Sequence, residues 1–216
     1  MAYAYPILLD LAGKLVVIVG GGKVAVRKAA GAIDGGATRV RCVAPKIDAE
    51  MPAQVERIEK TFEPVDVDGA TLVFAATDQS AVNSAVVRAA QERKILVSRA
   101  DADEQDAGDF IVPAVLRRGP IVVSVAAGSP ALAAKVRDQL STALQTLHRY
   151  TQLAEALKTL RPMLVDSKTL TAQRRRAALL DLVTAPALEA LGQDGKDGLW
   201  RWLVERYPEL KPEQSP

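Results

Sequence analysis

The stretch Leu15-Val16-Val17-Ile18-Val19-Gly20-Gly21-Gly22-Lys23-Val24-Ala25 is an unbroken apolar run that ends in a glycine turn and opens a helical pattern. An apolar run of this kind suits a strand buried on both faces of a parallel sheet. The turn reads G-x-G-x-x-A in the strand–turn–helix setting that the motif requires. Its first glycine permits the tight turn, and its second lets the backbone approach a pyrophosphate. The small Ala25 lets helix and strand pack closely. Free N–H groups at the helix start, helped by the helix dipole, then bind phosphate oxygens. Gly20, Gly21, Gly22, Lys23, Val24 and Ala25 are therefore expected to hold a dinucleotide. The plainer alternative is a turn that is merely tight.

Working outward, apolar runs at 15–19, 39–43, 71–75, 95–98 and 121–125 predict short strands. Helical patterns fall between them at 23–33, 49–55 and 81–93. Such alternation favours right-handed βαβ units, and thus an α/β fold with a Rossmann-type parallel sheet. After residue 125 the strand signal fades. Ser129-Pro130 opens a long helix to about residue 147, with further helices at 151–160, 172–183 and 199–206 and breaks at Pro162 and Pro186. The expected division is a dinucleotide domain over 1–113, a segment with the long helix over 114–149, and a helical domain over 150–216.

Composition narrows the function. The chain has 216 residues, 49% hydrophobic and 25% charged, which are ordinary globular values. One cysteine, Cys42, excludes an internal disulfide and a Cys-rich metal site, and one histidine, His148, excludes a His cluster, so no metal site is expected. The formal charge of +2 does not announce a nucleic-acid binder. No apolar run is long enough for a membrane helix, and Met-Ala-Tyr-Ala-Tyr-Pro lacks the features of a signal peptide, so a cytoplasmic protein is expected. Cys42 lies in an apolar strand and reads as a packing residue.

One part of the dinucleotide pattern is missing. The second strand usually ends in an Asp or Glu that grips the adenosine ribose. Here it ends Cys42-Val43-Ala44-Pro45-Lys46. Pro45 and Lys46 stand in the place of the acid, and Lys46 tolerates a 2′-phosphate. The choice between NAD and NADP stays open on these residues alone.

The run Gly20-Gly21-Gly22-Lys23-Val24-Ala25-Val26-Arg27-Lys28 resembles the signature G-G-G-x-V-A-x-R-K of precorrin-2 dehydrogenases, which include the dehydrogenase/ferrochelatase half of sirohaem synthases. Four further matches follow in order: Val43-Ala44-Pro45; Ala76-Thr77-Asp78 with Val82-Asn83; Phe110-Ile111-Val112-Pro113-Ala114; and Ser129-Pro130-Ala131-Leu132-Ala133. They span roughly residues 3–140. The resemblance implies NAD-dependent oxidation of precorrin-2 to sirohydrochlorin, a homodimer joined through residues 114–149, and, as in some members, insertion of Fe²⁺. It also implies that Ala76, Thr77 and Asp78 touch the cofactor. No methyltransferase pattern accompanies these motifs, so the chain is not expected to make precorrin-2 itself.

The family's essential aspartate lies in a stretch resembling N-x-x-D near the end of the fifth strand. Counting forward from Asn83 selects Asp101, in Val97-Ser98-Arg99-Ala100-Asp101; counting back from Phe110 selects Asp103. Asp101 is favoured, because Asp103 belongs to a polar, glycine-containing run that reads as a solvated loop. Asp101 accepts a proton, orients the macrocycle, or merely caps a loop. The later serine- and glycine-rich loop is shortened to Ala126-Ala127-Gly128-Ser129-Pro130. A substrate with eight carboxylates needs a basic pocket, for which Arg117, Arg118 and Ser129 are the candidates, alongside Lys135 and Arg137. The competing reading of these cations is a solvated surface, and the same holds for Arg174-Arg175-Arg176. Arg27 and Lys28 favour phosphate or face solvent. His148 reads as a helix-end residue rather than a chelatase base. Two other functions compete: a nucleotide-sensing module without chemistry, and a chelatase that has lost dehydrogenation.

Overall fold

In the computed structural model, which describes residues 5–101, 108–143 and 148–210, β1 (Leu15–Val19) is buried along its whole length. Its side chains alternate between two cores, as strand geometry dictates. Val16 and Ile18 join one cluster with Ala25, Ala29 and Phe74. Val17 and Val19 join the other with Val86, Ala90 and Val97. Helix α1 (Lys23–Asp34) supplies the first cluster through Ala25, Ala29 and Ala32, spaced to line one face. Helix α2 (Ser80–Glu92) supplies the second through Val86, Val87, Ala89 and Ala90.

The strands β2 (Arg39–Val43), β3 (Glu56–Ile58), β4 (Leu72–Ala75) and β5 (Leu96–Arg99) complete a parallel sheet with order β3-β2-β1-β4-β5. Leu15 pairs with Arg39, and Val16 with Leu72. The expected Rossmann-type sheet is thus present, with its order reversing between β1 and β4, where such sheets bind ligands.

Several boundaries differ from expectation. Residues 49–55 form turns, not a helix. Asp48 accepts from the Glu50 N–H at 2.9 Å, and Val55 N–H bonds to Pro52 O at 3.0 Å. Local Asp and Pro bonding of this kind outcompetes a short helix. β3 was missed because it is a three-residue, polar edge strand, tied by Glu56 to Arg41 at 2.8 Å. Residues 121–125 form a strand outside the parallel sheet. As β7 (Ile121–Val125) they pair antiparallel with β6 (Ala114–Arg118).

The chain divides into two compact units, Met1–Val112 and Pro113–Pro216. The second contains the β6–β7 hairpin, which turns at Gly119 (φ +54°), and α3 (Pro130–Ala143), α4 (His148–Val165), α5 (Ala172–Asp181) and α6 (Ala185–Arg206). Leu153, Leu160, Leu164, Leu182, Leu199 and Leu203 form its helical core. Each such burial contributes on the order of 1.5–3 kcal/mol. Pro162 lies inside α4 and does not break it, while Pro186 sits in the first turn of α6, where proline is compatible with a helix. α6 absorbs the expected 199–206 helix and is kinked at Asp194 and Gly195. Among the described residues no helix is long and apolar enough to cross a membrane.

Candidate functional site

Three loops meet at the carboxyl edge of the sheet. Gly20 N–H donates to Val43 O at 2.9 Å, Ala76 N–H to Val19 O at 2.8 Å, and Asp48 N–H to Gly21 O at 2.8 Å. The glycine turn is therefore tied to both neighbouring loops. Two of its glycines are demanded by that packing. Gly20 has φ +124°, and a Cβ there would lie 2.3 Å from Ala76 O; a Cβ on Gly21 would lie 2.0 Å from Lys46 O.

Gly22 is different. Its backbone is extended (φ −86°, ψ −172°), a conformation open to any residue. A Cβ there meets no protein atom within 4 Å. Gly22 is also the N-cap of α1, without a side-chain cap, and the first turn carries no acidic residue. The first N–H groups of α1 thus face open space beside the residue where a side chain would obstruct an anion. These features fit a pyrophosphate.

The turn forms one wall of a cavity of about 770 Å³. Gly20, Gly21, Gly22, Lys23, Val24, Pro45, Lys46, Ala76, Thr77 and Asp78 all line it. Ala25 does not; it is wholly buried on the inner face of α1, as close packing of helix and strand requires. Thr61, Phe62, Ala81 and Ala85 add walls that the sequence reading did not name, and Val82, quoted there as part of a motif, is another. Phe62 lies in the loop after the unrecognised β3, and the alanines repeat along α2. At the end of β2 the lining is Val43, Ala44, Pro45 and Lys46, with no carboxylate.

Cys42 lies behind the turn. Its thiol donates to Gly20 O at 3.2 Å, and burial pushes it up to about 11. It packs the strand, as expected, and is not a ready nucleophile. Lys28 neither reaches the turn nor stands free in solvent. Its Nζ lies 5.5 Å from the centre of the Phe74 ring, and burial, then the Arg27 charge, lowers its pKa.

Thr77 is fixed by Asn83, which is fully buried on α2. Asn83 Oδ1 accepts from Thr77 N–H at 3.1 Å and from Thr77 Oγ1 at 2.8 Å, while Asn83 Nδ2 donates to Thr77 O at 3.1 Å. Asn83 also favours the ionised form of Asp101. Asp101 itself lies two residues beyond β5, at the sheet's carboxyl edge, and is not among the cavity-lining residues. Its carboxylate receives Arg99 Nε at 2.5 Å and Nη2 at 3.0 Å. The Arg99 guanidinium holds the Asp101 carboxyl below its ordinary range against the opposing effect of partial burial, and Asn83 helps. Sequence reasoning quoted Arg99 without assigning it a role; the signal was a charge at the end of an otherwise apolar strand. Asp103 lies outside the described residues.

Ser129, Arg117 and Arg118 belong to the second unit. Ser129 Oγ accepts from Leu132 N–H at 3.2 Å and so caps α3. Arg118 Nη2 donates to Ser141 Oγ at 3.1 Å, placing it against α3, while Arg117 alternates to the other face of the hairpin. His148 is exposed and stands at the start of α4.

Comparison with known proteins adds a lineage. The siroheme synthase of Pseudomonas paraeruginosa is 40% identical over 156 residues, covering 69% of this chain and 32% of that protein. The siroheme synthase of Methylobacillus flagellatus is 35% identical over 178 residues, covering 79% of this chain and 37% of that protein. The chain thus spans about a third of the length of these relatives. A solved structure described as SirC, precorrin-2 dehydrogenase, has the same fold, with a TM-score of 0.73 at 24% identity, covering 94% of this chain and all of that one. Residues 7–114 match the model of the family described as putative NAD(P)-binding, and this half of the chain carries the glycine turn and its cavity, so the protein belongs to that family.

Proposed function

We propose that this protein is an oxidoreductase that converts precorrin-2 to sirohydrochlorin with NAD⁺, on the route to sirohaem. The observation that carries the reading is Gly22. The fold leaves space at that position for a phosphate and supplies uncapped helix N–H groups beside it. The substrate is supported by the likeness to siroheme synthases across 69% of the chain.

The reaction removes a hydride and a proton from the macrocycle. NAD⁺, when bound, supplies the hydride acceptor. The chain's residues do the rest. Gly20, Gly21 and Gly22 present backbone to the pyrophosphate, with Lys23 and Val24 opening α1, and Thr77, held by Asn83, forms the opposite wall with Ala76 and Asp78. Pro45 and Lys46 border the adenosine end. Asp101 offers a carboxylate at the sheet edge, opposite the positive charge that hydride loss leaves on the tetrapyrrole. Arg117, Arg118 and the α3 start at Ser129 receive substrate carboxylates.

The working molecule is a cytoplasmic homodimer joined through residues 114–149, with residues 1–113 as the NAD domain and 150–216 as the helical domain. Fe²⁺ insertion into sirohydrochlorin is a second activity of the same chain. Mixing the purified protein with precorrin-2 and NAD⁺ tests the main reading. Sirohydrochlorin absorbance should rise in step with NADH. NAD⁺ binding without turnover would instead assign a nucleotide-sensing module, and iron insertion when sirohydrochlorin and Fe²⁺ are supplied, without oxidation of precorrin-2, would assign a chelatase.

A further inference from the structure

Arg99 ends β5 with its side chain fully buried. A buried guanidinium is costly unless its donors are met. Nη1 donates to Ser84 Oγ at 3.0 Å, and Nη2 donates to Ser80 Oγ at 2.8 Å and Ser80 O at 3.2 Å. Ser80 and Ser84 stand four residues apart on α2, hence on one face. From that anchorage Nε and Nη2 reach the two carboxylate oxygens of Asp101, whose own side chain is 31% exposed. The arrangement is a forked, charge-assisted pair with its cation inside the fold and its anion at the surface.

We propose that Arg99 is a positioning residue that fixes the orientation of the Asp101 carboxylate, so that Asp101 presents a preset negative charge to the reacting ring. This rests on the reading of Asp101 as the carboxylate of the reaction. A charge already oriented needs no reorganisation as positive charge develops opposite it. Among the described residues, the charged group facing Asp101 from β5 is Arg99. From α2 the neutral Asn83 acts on Asp101, while Ser80 and Ser84, also neutral, bond Arg99. Asp109, on the returning segment, uses its carboxylate to accept Val97 N–H at 2.9 Å.

The experiment has two arms on the full chain. In the first, carbon-13 NMR of labelled aspartates follows the Asp101 carboxyl without substrate. Its midpoint should lie below the ordinary value of about 3.9, and Arg99→Gln should raise it by about one pH unit or more. In the second, Arg99→Gln should lower kcat by about 10–100-fold, move its acid limb to higher pH, and leave NAD⁺ affinity unchanged. Arg99→Lys keeps the charge without the fork, and should fall between wild type and Arg99→Gln in both arms. It also serves if Arg99→Gln does not fold. An unchanged midpoint, or unchanged kcat in a folded variant, overturns the role of Arg99. Full turnover by Asp101→Asn overturns the reading beneath it, while the substrate-free midpoint still reports the pair by itself.

Discussion

A side chain on Gly20 or Gly21 would meet backbone carbonyl oxygen at 2.3 or 2.0 Å, whereas one on Gly22 would meet only the space assigned to phosphate. The motif assigns the tight turn to Gly20 and the approach to phosphate to Gly22, and the structure agrees. What the motif leaves blank is Gly21, its variable position, which packs against Lys46 O. Serine is a better N-cap than glycine by a few tenths of a kcal/mol. Gly22→Ser should therefore hold or raise the melting temperature while weakening NAD⁺ binding by at least about tenfold. A thermal melt and a cofactor titration on one sample check both signs. Equal affinity in the folded variant would remove the pyrophosphate from this turn. Lys46 carries the companion expectation. The wall it shares with Pro45 has no carboxylate to repel a 2′-phosphate, so Lys46→Glu should depress NADP⁺ binding and leave NAD⁺ binding nearly intact. Wild-type turnover that is faster with NADP⁺ than with NAD⁺, and is lost in Lys46→Glu, would show that NADP⁺ is the working cofactor.

Legibility at the scale of elements followed burial. β1, β4 and α1 were readable because one or two faces are apolar throughout. β3, by contrast, carries Glu56 and Arg57 exposed on a sheet edge, so no alternation announced it. The 114–118 strand escaped because Arg117 and Arg118 break its pattern, although antiparallel pairing with residues 121–125 is satisfied by backbone alone. In the helical unit Arg174 and Arg176 are exposed, as a solvated face requires, but Arg175 is half-buried. Arg174 pairs with Glu209 at 3.0 Å and lies over the Tyr207 ring, and Arg175 donates to Ser167 O and Leu170 O. The end of α5 is tied in the same way, since Asp181 accepts the Tyr207 hydroxyl at 2.8 Å and pairs with Arg206. Arg206, then Tyr207, lowers the Asp181 pKa. Its folded value thus lies below the unfolded value of about 3.9, so the contribution is present above that pH and is lost as pH falls through the folded value. Asp181→Asn should cost about 1–2 kcal/mol at neutral pH, from hydrogen bonds lost beside the buried Tyr207. The difference from wild type should shrink in denaturant titrations below about pH 3. A constant difference across that range would mean that Asp181 contributes through packing alone.

At the scale of the whole molecule, the second compact unit begins at Pro113, ahead of the change of texture after residue 125. What the sequence could not say was which apolar residues of that unit face inward. The spacing of Ala131, Leu132, Val136, Leu140 and Leu144 predicts a single stripe, of which Leu144 lies outside the described residues. The residue of α3 that the hairpin buries is instead Ala133, while Leu132 is 52% and Leu140 37% exposed. A small residue at the contact lets helix and hairpin approach closely, and it turns the larger leucines outward. Val115 on β6 is likewise exposed. An outward stripe on a helix is matched by its own copy when two chains meet about a two-fold axis, because residue i of one then faces residue j of the other and j faces i. Stable pairs of this kind bury roughly 1,200–2,000 Å². Sedimentation at micromolar concentration should therefore give twice the 23.1 kDa of one chain. Leu132→Glu combined with Leu140→Glu should bring like charges together across the axis and yield a monomer. NAD⁺ binding, which belongs to the first unit, should survive in that monomer. A wild-type chain that sediments as a monomer, or a doubly charged variant that remains a dimer, would mean that these leucines are not where two copies meet.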